Sequence, residues 1–266
     1  MKRPIITLLT DFGTKDHYVA SMKGAILSIN PRCLLIDITH QVNPQDIEEG
    51  AFILANAYSY FPKGTIHLSV VDPGVGGTRK PILVVTPHYF FVGPDNGLFT
   101  LVAQREKIKR VVVLTKKEYF LSKISSTFHG RDIFAPVAAY LSRGVRPDAF
   151  GYEIKSLKEL GARRPFVKEK KLFGEILHID AFGNVISNIG EEKLSRFIQG
   201  RPIAVRAGSK VISGLKKGYW EGKKGEPMAL LGSSGFLEIS VKEGNARELL
   251  KLKRGDRIVI STKYKS

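Results

Sequence analysis

The 266-residue chain has one cysteine, one tryptophan, three methionines and no long apolar run. With Cys33 alone, no disulfide framework can form within the chain. Its setting, Cys33-Leu34-Leu35-Ile36, is that of a buried, inert thiol. No apolar stretch approaches the ~20 residues that a membrane-spanning helix needs. Met1-Lys2-Arg3 leads straight into a strand-like segment, so no signal peptide is expected and the expected setting is the cytoplasm. Familiar catalytic signatures are missing too. The chain has no Gly-Lys-Ser/Thr phosphate loop and no Gly-x-Ser-x-Gly elbow. Gly74 and Gly76 are followed by Arg79 where a dinucleotide fingerprint requires a third glycine. The six histidines, at 17, 40, 67, 88, 129 and 178, show none of the paired spacings of a zinc site, so no metal and no cofactor are expected.

What is abundant is positive charge: 42 Lys and Arg against 25 Asp and Glu, a net +17. Residues 1–154 hold 18 basic against 13 acidic side chains, and residues 155–266 hold 24 against 12, so the excess sits in the C-terminal part. Such a balance raises the possibility of nucleic-acid binding. The basic residues are scattered in pairs such as Lys170-Lys171, Lys216-Lys217 and Lys223-Lys224, a pattern that also suits the charged surfaces of proteins from hot environments. A basic nucleic-acid-binding protein therefore stands as an alternative, not as the leading reading.

Apolar spacing gives the organisation. Ile5 to Thr10 reads as a buried strand, followed by the polar loop Asp11-Phe12-Gly13-Thr14-Lys15-Asp16 and a helix that Asp16 is expected to cap. Asn30-Pro31 ends that helix. A second strand, Leu34 to Ile38, precedes a second helix capped by Asp46, and a third strand runs towards Asp72. Strand, helix, strand, helix, strand predicts an α/β domain with a mostly parallel central sheet, over residues 1–160. Short strand-like runs separated by turns predict a smaller C-terminal antiparallel β-barrel over residues 170–266. In doubly wound sheets ligands bind beyond the carboxyl ends of the strands, so Asp11 and Asp72 are expected at one crevice.

The stretch Val70-Val71-Asp72-Pro73-Gly74-Val75-Gly76-Gly77-Thr78-Arg79 sets a carboxylate at a strand's end, then three glycines and an arginine. The plain alternative is a β-turn with a surface ion pair. Other stretches join it: Leu9-Thr10-Asp11-Phe12-Gly13 with Asp16, Asp46-Ile47-Glu48-Glu49-Gly50-Ala51, Gly93-Pro94-Asp95-Asn96-Gly97 and Phe128-His129-Gly130-Arg131-Asp132. The C-terminal part adds Asp180-Ala181-Phe182-Gly183-Asn184, Gly225-Glu226-Pro227, Ser233-Ser234-Gly235-Phe236-Leu237-Glu238-Ile239 and Gly244-Asn245-Ala246. In these ordered pieces the chain resembles, nearly end to end, the adenosine-forming S-adenosylmethionine hydrolases, or SAM hydroxide adenosyltransferases, which are relatives of the fluorinase and chlorinase.

The resemblance implies hydrolysis of S-adenosylmethionine by a homotrimer whose sites lie between neighbouring subunits. It assigns Asp72, Arg79 and His129 to the nucleophilic water and Asp11 to the ribose hydroxyls. Asp16, Asp180, Ser233 and Ser234 would hold the methionine end. Asn184 and the backbone of Ala246 would bind the adenine edge, between Phe182 and Tyr219. The runner-up is a halogenase of the same superfamily. Against it, the fluorinase has a tyrosine where Asp72 stands, and its halide-contacting serine falls at Gly130; a carboxylate would repel a halide. The assigned chemistry is coherent: an arginine favours the ionised form of a neighbouring aspartate, and a carboxylate or a histidine can orient a water and accept its proton. Which of the two does so is open at this stage.

Overall fold

The computed structural model describes residues 3–161 and 164–262 and divides into two units, residues 1–160 and 161–266. The first unit opens with β1 (Ile5–Thr10), α1 (Tyr18–Ile29), β2 (Leu34–Thr39), α2 (Ile47–Ala57) and β3 (Ile66–Val70). It continues with β4 (Pro81–Val85), β5 (Phe90–Pro94), α3 (Thr100–Arg105), β6 (Arg110–Leu114), α4 (Ala135–Ser142) and β7 (Gly151–Ile154). The sheet order is β2-β1-β3-β5-β4-β6-β7. Strands β2, β1, β3 and β5 run parallel, and β4, β6 and β7 extend the sheet antiparallel.

Successive strand residues point to opposite faces, and both faces are apolar here. On one, Ile6, Leu8 and Leu68 pack with Met22 and Ile26 of α1 and Val137 and Ala138 of α4. On the other, Leu9, Val71 and Phe91 pack with Leu54 of α2 and Val102 of α3. Asp46 caps α2, its side chain accepting from Glu49 N at 3.0 Å. Asp16 does not cap α1: the N-cap position belongs to His17, without a side-chain cap hydrogen bond. The extra residue between Asp16 and the first helical turn carries that carboxylate out to solvent.

The second unit contains β8 (Phe166–Lys168), β9 (Lys171–Ile179), β10 (Val185–Gly190), α5 (Glu191–Ile198), β11 (Ile203–Ala207), β12 (Lys210–Ser213), β13 (Pro227–Leu231), β14 (Phe236–Val241), α6 (Ala246–Leu250) and β15 (Arg257–Thr262). Its strands pair antiparallel in the order β12-β11-β15-β9-β10-β14-β13, with β8 beside β9. A bridge between Lys216 and Leu230 brings the two ends of that path together, giving a nearly closed barrel around Leu172, Ile176, Val205, Ile239, Ile258 and Ile260. Among the described residues no helix is long and apolar enough to cross a membrane.

Candidate active site

In the first unit three side chains meet beyond the carboxyl end of β3. Arg79 Nε donates to both oxygens of Asp72, at 3.0 and 2.9 Å, and Nη2 donates to Oδ2. Nη2 also lies 2.8 Å from His129 Nδ1. The Asp72 side chain is only 4% exposed and Arg79 9% exposed, so this is a largely buried pair and not a surface ion pair. Arg79 also stacks over the Phe134 ring, 5.3 Å from its centroid. A guanidinium only donates, so His129 Nδ1 must be the acceptor and the neutral imidazole carries its proton on Nε2. Burial, and next the Arg79 charge, hold the His129 pKa below its ordinary value, against the pull of Asp72 and Asp132. Nearby negative charge is thus outweighed and the ring stays neutral.

Local sequence explains why these groups meet. Gly76 has φ +75°, and a Cβ there would lie 2.2 Å from the Ser126 carbonyl oxygen. Only glycine lets the loop after Asp72 rest against the segment that leads to His129. That segment is held by Asp132, which is fully buried and accepts from Ser125 N at 2.7 Å and Arg131 Nε at 2.6 Å. His129 then precedes a π-helical turn, Gly130–Phe134, of the kind that often marks functional sites. At Gly130 a Cβ would sit 3.3 Å from Met22 Sδ and 3.4 Å from the Phe12 ring, leaving little room for a larger residue.

Asp11 follows β1 and accepts from Gln45 N at 2.8 Å through Oδ2. Burial raises its pKa, the Gln45 and Asp11 backbone N–H groups oppose the rise, and the Asp72 charge adds to it. Asp11 therefore lies within electrostatic reach of Asp72. Asp16 is exposed in the loop before α1.

The remaining candidates lie in the second unit. Asp180 closes a tight turn: Oδ1 accepts from Phe182 N and Asn184 N, both at 2.9 Å, and Oδ2 accepts from Asn184 Nδ2 at 2.9 Å. Its visible role is to hold the nearly buried Asn184 in place. Phe182, at the tip of this turn, is 78% exposed. Gly183, with φ +79°, lets the turn close on Asn245, which caps α6 and precedes the buried Ala246. Tyr219 donates to Glu238 Oε1 at 2.7 Å. Burial and this carboxylate push the Tyr219 pKa up to about 12, and the Asp180 charge adds to the rise. Ser233 is exposed, whereas Ser234 Oγ is buried without a hydrogen-bond partner among the described residues.

Glu238 received no role from sequence reasoning. It is buried in β14 and accepts from both Tyr219 and Ser240. The available signal was a carboxylate inside the apolar alternation Phe236-Leu237-Glu238-Ile239, which requires buried donors nearby.

Comparison with known proteins resolves the family. The model of the SAM hydroxide adenosyltransferase N-terminal domain matches residues 6–151, and that of the C-terminal domain matches residues 174–259. The chain belongs to the SAM hydroxide adenosyltransferase family. It is 40% identical to the (R)-S-adenosyl-L-methionine hydrolase of Methanocaldococcus jannaschii, over 96% of this chain and 95% of that one. A fluorinase from Nocardia brasiliensis is 27% identical over 73% of this chain and 74% of its own length. Among solved structures, an uncharacterized conserved protein from Thermotoga maritima superposes with a TM-score of 0.90 at 39% identity, covering 96% of this chain and 99% of that one.

Proposed function

We propose that this family member hydrolyses S-adenosyl-L-methionine to adenosine and L-methionine, without metal or cofactor. Oxygen from water attacks C5′ of the ribose, the C5′–S bond breaks, and its electron pair returns to sulfur as methionine leaves. The sulfonium is already a good leaving group, so the protein need only generate and aim the oxygen. The observation that carries the reading is the Asp72–Arg79–His129 cluster. With Nδ1 occupied by Arg79, His129 offers an N–H at Nε2 and serves to orient the water by donating to it. The Asp72 carboxylate is then the group left to accept the water's proton, each oxygen keeping acceptor capacity beyond its bonds to Arg79.

Asp11 suits the ribose diol, because a carboxylate's two oxygens can accept from two hydroxyls. Asn184, with the Ala246 backbone, is assigned to the adenine edge, Phe182 and Tyr219 to its faces, and Asp16, Asp180, Ser233 and Ser234 to the methionine end. The unpartnered Ser234 hydroxyl and the exposed Phe182 ring support a ligand there. One ligand must reach both residue sets, and the proposed assembly is a homotrimer in which neighbouring subunits complete each site. The proposed setting is the cytoplasm.

The test is incubation with each sulfonium epimer of S-adenosylmethionine, since the relative is named for the (R) form, followed by chromatography. Adenosine and methionine in equal amounts are expected. No adenosine from folded protein would refute the reading, and 5′-halo-adenosine in halide buffer would transfer the protein to the halogenases. The lack of a side-chain hydroxyl at Gly130 and the carboxylate at Asp72 both favour water.

A further inference from the structure

Behind the Asp11 loop lies a second arrangement of aspartate, histidine and hydroxyl. His40 is buried, and its Nδ1 is 2.8 Å from Thr10 Oγ1. Its Nε2 is 3.0 Å from Asp37 Oδ1, close but not aligned as a hydrogen bond. Asp37 Oδ2 in turn accepts from Lys23 Nζ at 2.6 Å. Burial alone would raise the Asp37 carboxyl, but Lys23 and His40 bring it below the ordinary value, so it is ionised at neutral pH.

The order Asp, His, Thr is that of a nucleophile triad, yet the geometry denies that role. Thr10 is fully buried, and its hydroxyl oxygen already accepts from Phe12 N at 3.2 Å. No substrate atom can reach it. What the cluster does reach is the loop carrying Asp11. Thr10 Oγ1 holds the Phe12 amide, and the His40 carbonyl accepts from Gly13 N at 2.7 Å. Lys23 lies on α1, the helix that the same loop enters. Asp37 therefore touches both a group that holds the front of the loop and the helix that receives its end.

A register shift makes this possible. Leu8 pairs with Asp37 but Leu9 pairs with Thr39, so Ile38 is an extra residue on β2. Bulges of this sort bend a strand and re-aim the side chains beyond it. Here the bend comes two residues before His40, where β2 leaves the sheet beside the end of β1.

We propose that Asp37, His40 and Thr10 are positioning residues that fix the Asp11–Gly13 loop, and through it the carboxylate that receives the ribose. The inference rests on the reading of Asp11 given above. Thr10→Val keeps the side chain's size but removes the shared hydroxyl, whereas Thr10→Ser keeps the hydroxyl. For Thr10→Val we expect KM for S-adenosylmethionine and Kd for adenosine to rise about tenfold, the effect of roughly one hydrogen bond, with kcat within about threefold. Thr10→Ser should restore both. Asp37→Asn, at a partly exposed and more tolerant position, should move KM in the same direction by about threefold and serves if Thr10→Val folds poorly. Hydrogen exchange at the Phe12 and Gly13 amides gives a readout independent of turnover and should quicken about tenfold in Thr10→Val and measurably in Asp37→Asn. A wild-type protein without turnover would refute the proposed function, while amide exchange would still report on the support. Unchanged KM and unchanged exchange in folded Thr10→Val and Asp37→Asn would overturn the inference.

Discussion

Replacing Asp72 by asparagine separates chemistry from binding. The amide keeps the shape of the carboxylate and one acceptor oxygen, which can stay opposite Arg79 Nε and Nη2 by occupying the Oδ2 position. The NH2 group then falls at Oδ1, where only the longer 3.0 Å contact from Nε is lost. Arg79 stays nearly buried beside a neutral partner, and a buried charge left uncompensated costs up to about 3–5 kcal/mol of stability. A domain with a typical margin of about 5–15 kcal/mol survives that loss. Catalysis should suffer far more, because an amide cannot take the water's proton, and a general base contributes about 10²–10⁴-fold. We expect kcat to fall about 10³-fold while adenosine Kd changes less than about threefold. Quantified chromatography gives the first value and calorimetric titration the second. Wild-type turnover in Asp72→Asn would show that another group accepts the proton. A variant unfolded at ordinary temperature would instead return Asp72 to the status of a structural turn residue.

Asp11→Ala should raise adenosine Kd by about tenfold to a hundredfold, through loss of two charge-assisted hydrogen bonds; equal affinities measured by calorimetry would remove Asp11 from the ribose. His67 is fully buried within hydrogen-bonding reach of Thr7 and among Tyr58, Phe61, Tyr89 and Phe91, and burial lowers its pKa to about 3. Because the unfolded chain binds this proton below about pH 6.5 and the native state does not, its contribution is fully present above that value. Unfolding free energy should therefore fall as pH drops from about 6.5 towards 3, by up to about 1.4 kcal/mol per unit from this one group, and urea titrations of His67→Gln should lack that component. Mixing inactive Asp72→Ala with inactive Asn184→Ala, with subunit exchange verified, should restore some activity, because a mixed trimer can contain a junction of two intact halves; no rescue would place the whole site within one chain.

Much of the first unit was legible because local signals and burial agree. Asn30-Pro31 ends α1, and Asp46 accepts from the Glu49 amide as N-cap chemistry requires. Asp16 misled because an acidic residue before an apolar repeat looks like a cap whether or not the first turn begins there. Helix α5 was not expected from the sequence although Leu194, Phe197 and Ile198 share one face and pack on the barrel core, because over eight residues that repeat is too short to stand out. The antiparallel placement of β4 depends on pairing with β5 and β6, which strand composition does not encode. The site shows the same division. The family resemblance pointed to Asp72, Arg79 and His129, whereas the His129 tautomer follows only from which nitrogen faces Arg79. The support from Asp37 and His40 depends on a strand bulge and was not legible at all.

The charge inventory around Asp72 bears on the choice between water and halide. Asp72 and Arg79 neutralise each other, His129 is neutral, and the Asp72 charge is felt at Asp11. Adding the Asp11 carboxylate leaves this part of the site at about −1, before any substrate enters. A negative site favours a sulfonium cation and disfavours a free anion approaching to attack it. In the proposed reaction water avoids that conflict, because it arrives neutral and acquires charge only as its proton passes to Asp72. Arg79 then sits where it can steady the carboxylate before transfer and the oxygen's charge during it. The guanidinium that grips Asp72 is also the one that faces His129 Nδ1, so in the proposed reaction the orientation of the water and the destination of its proton rest on one set of hydrogen bonds.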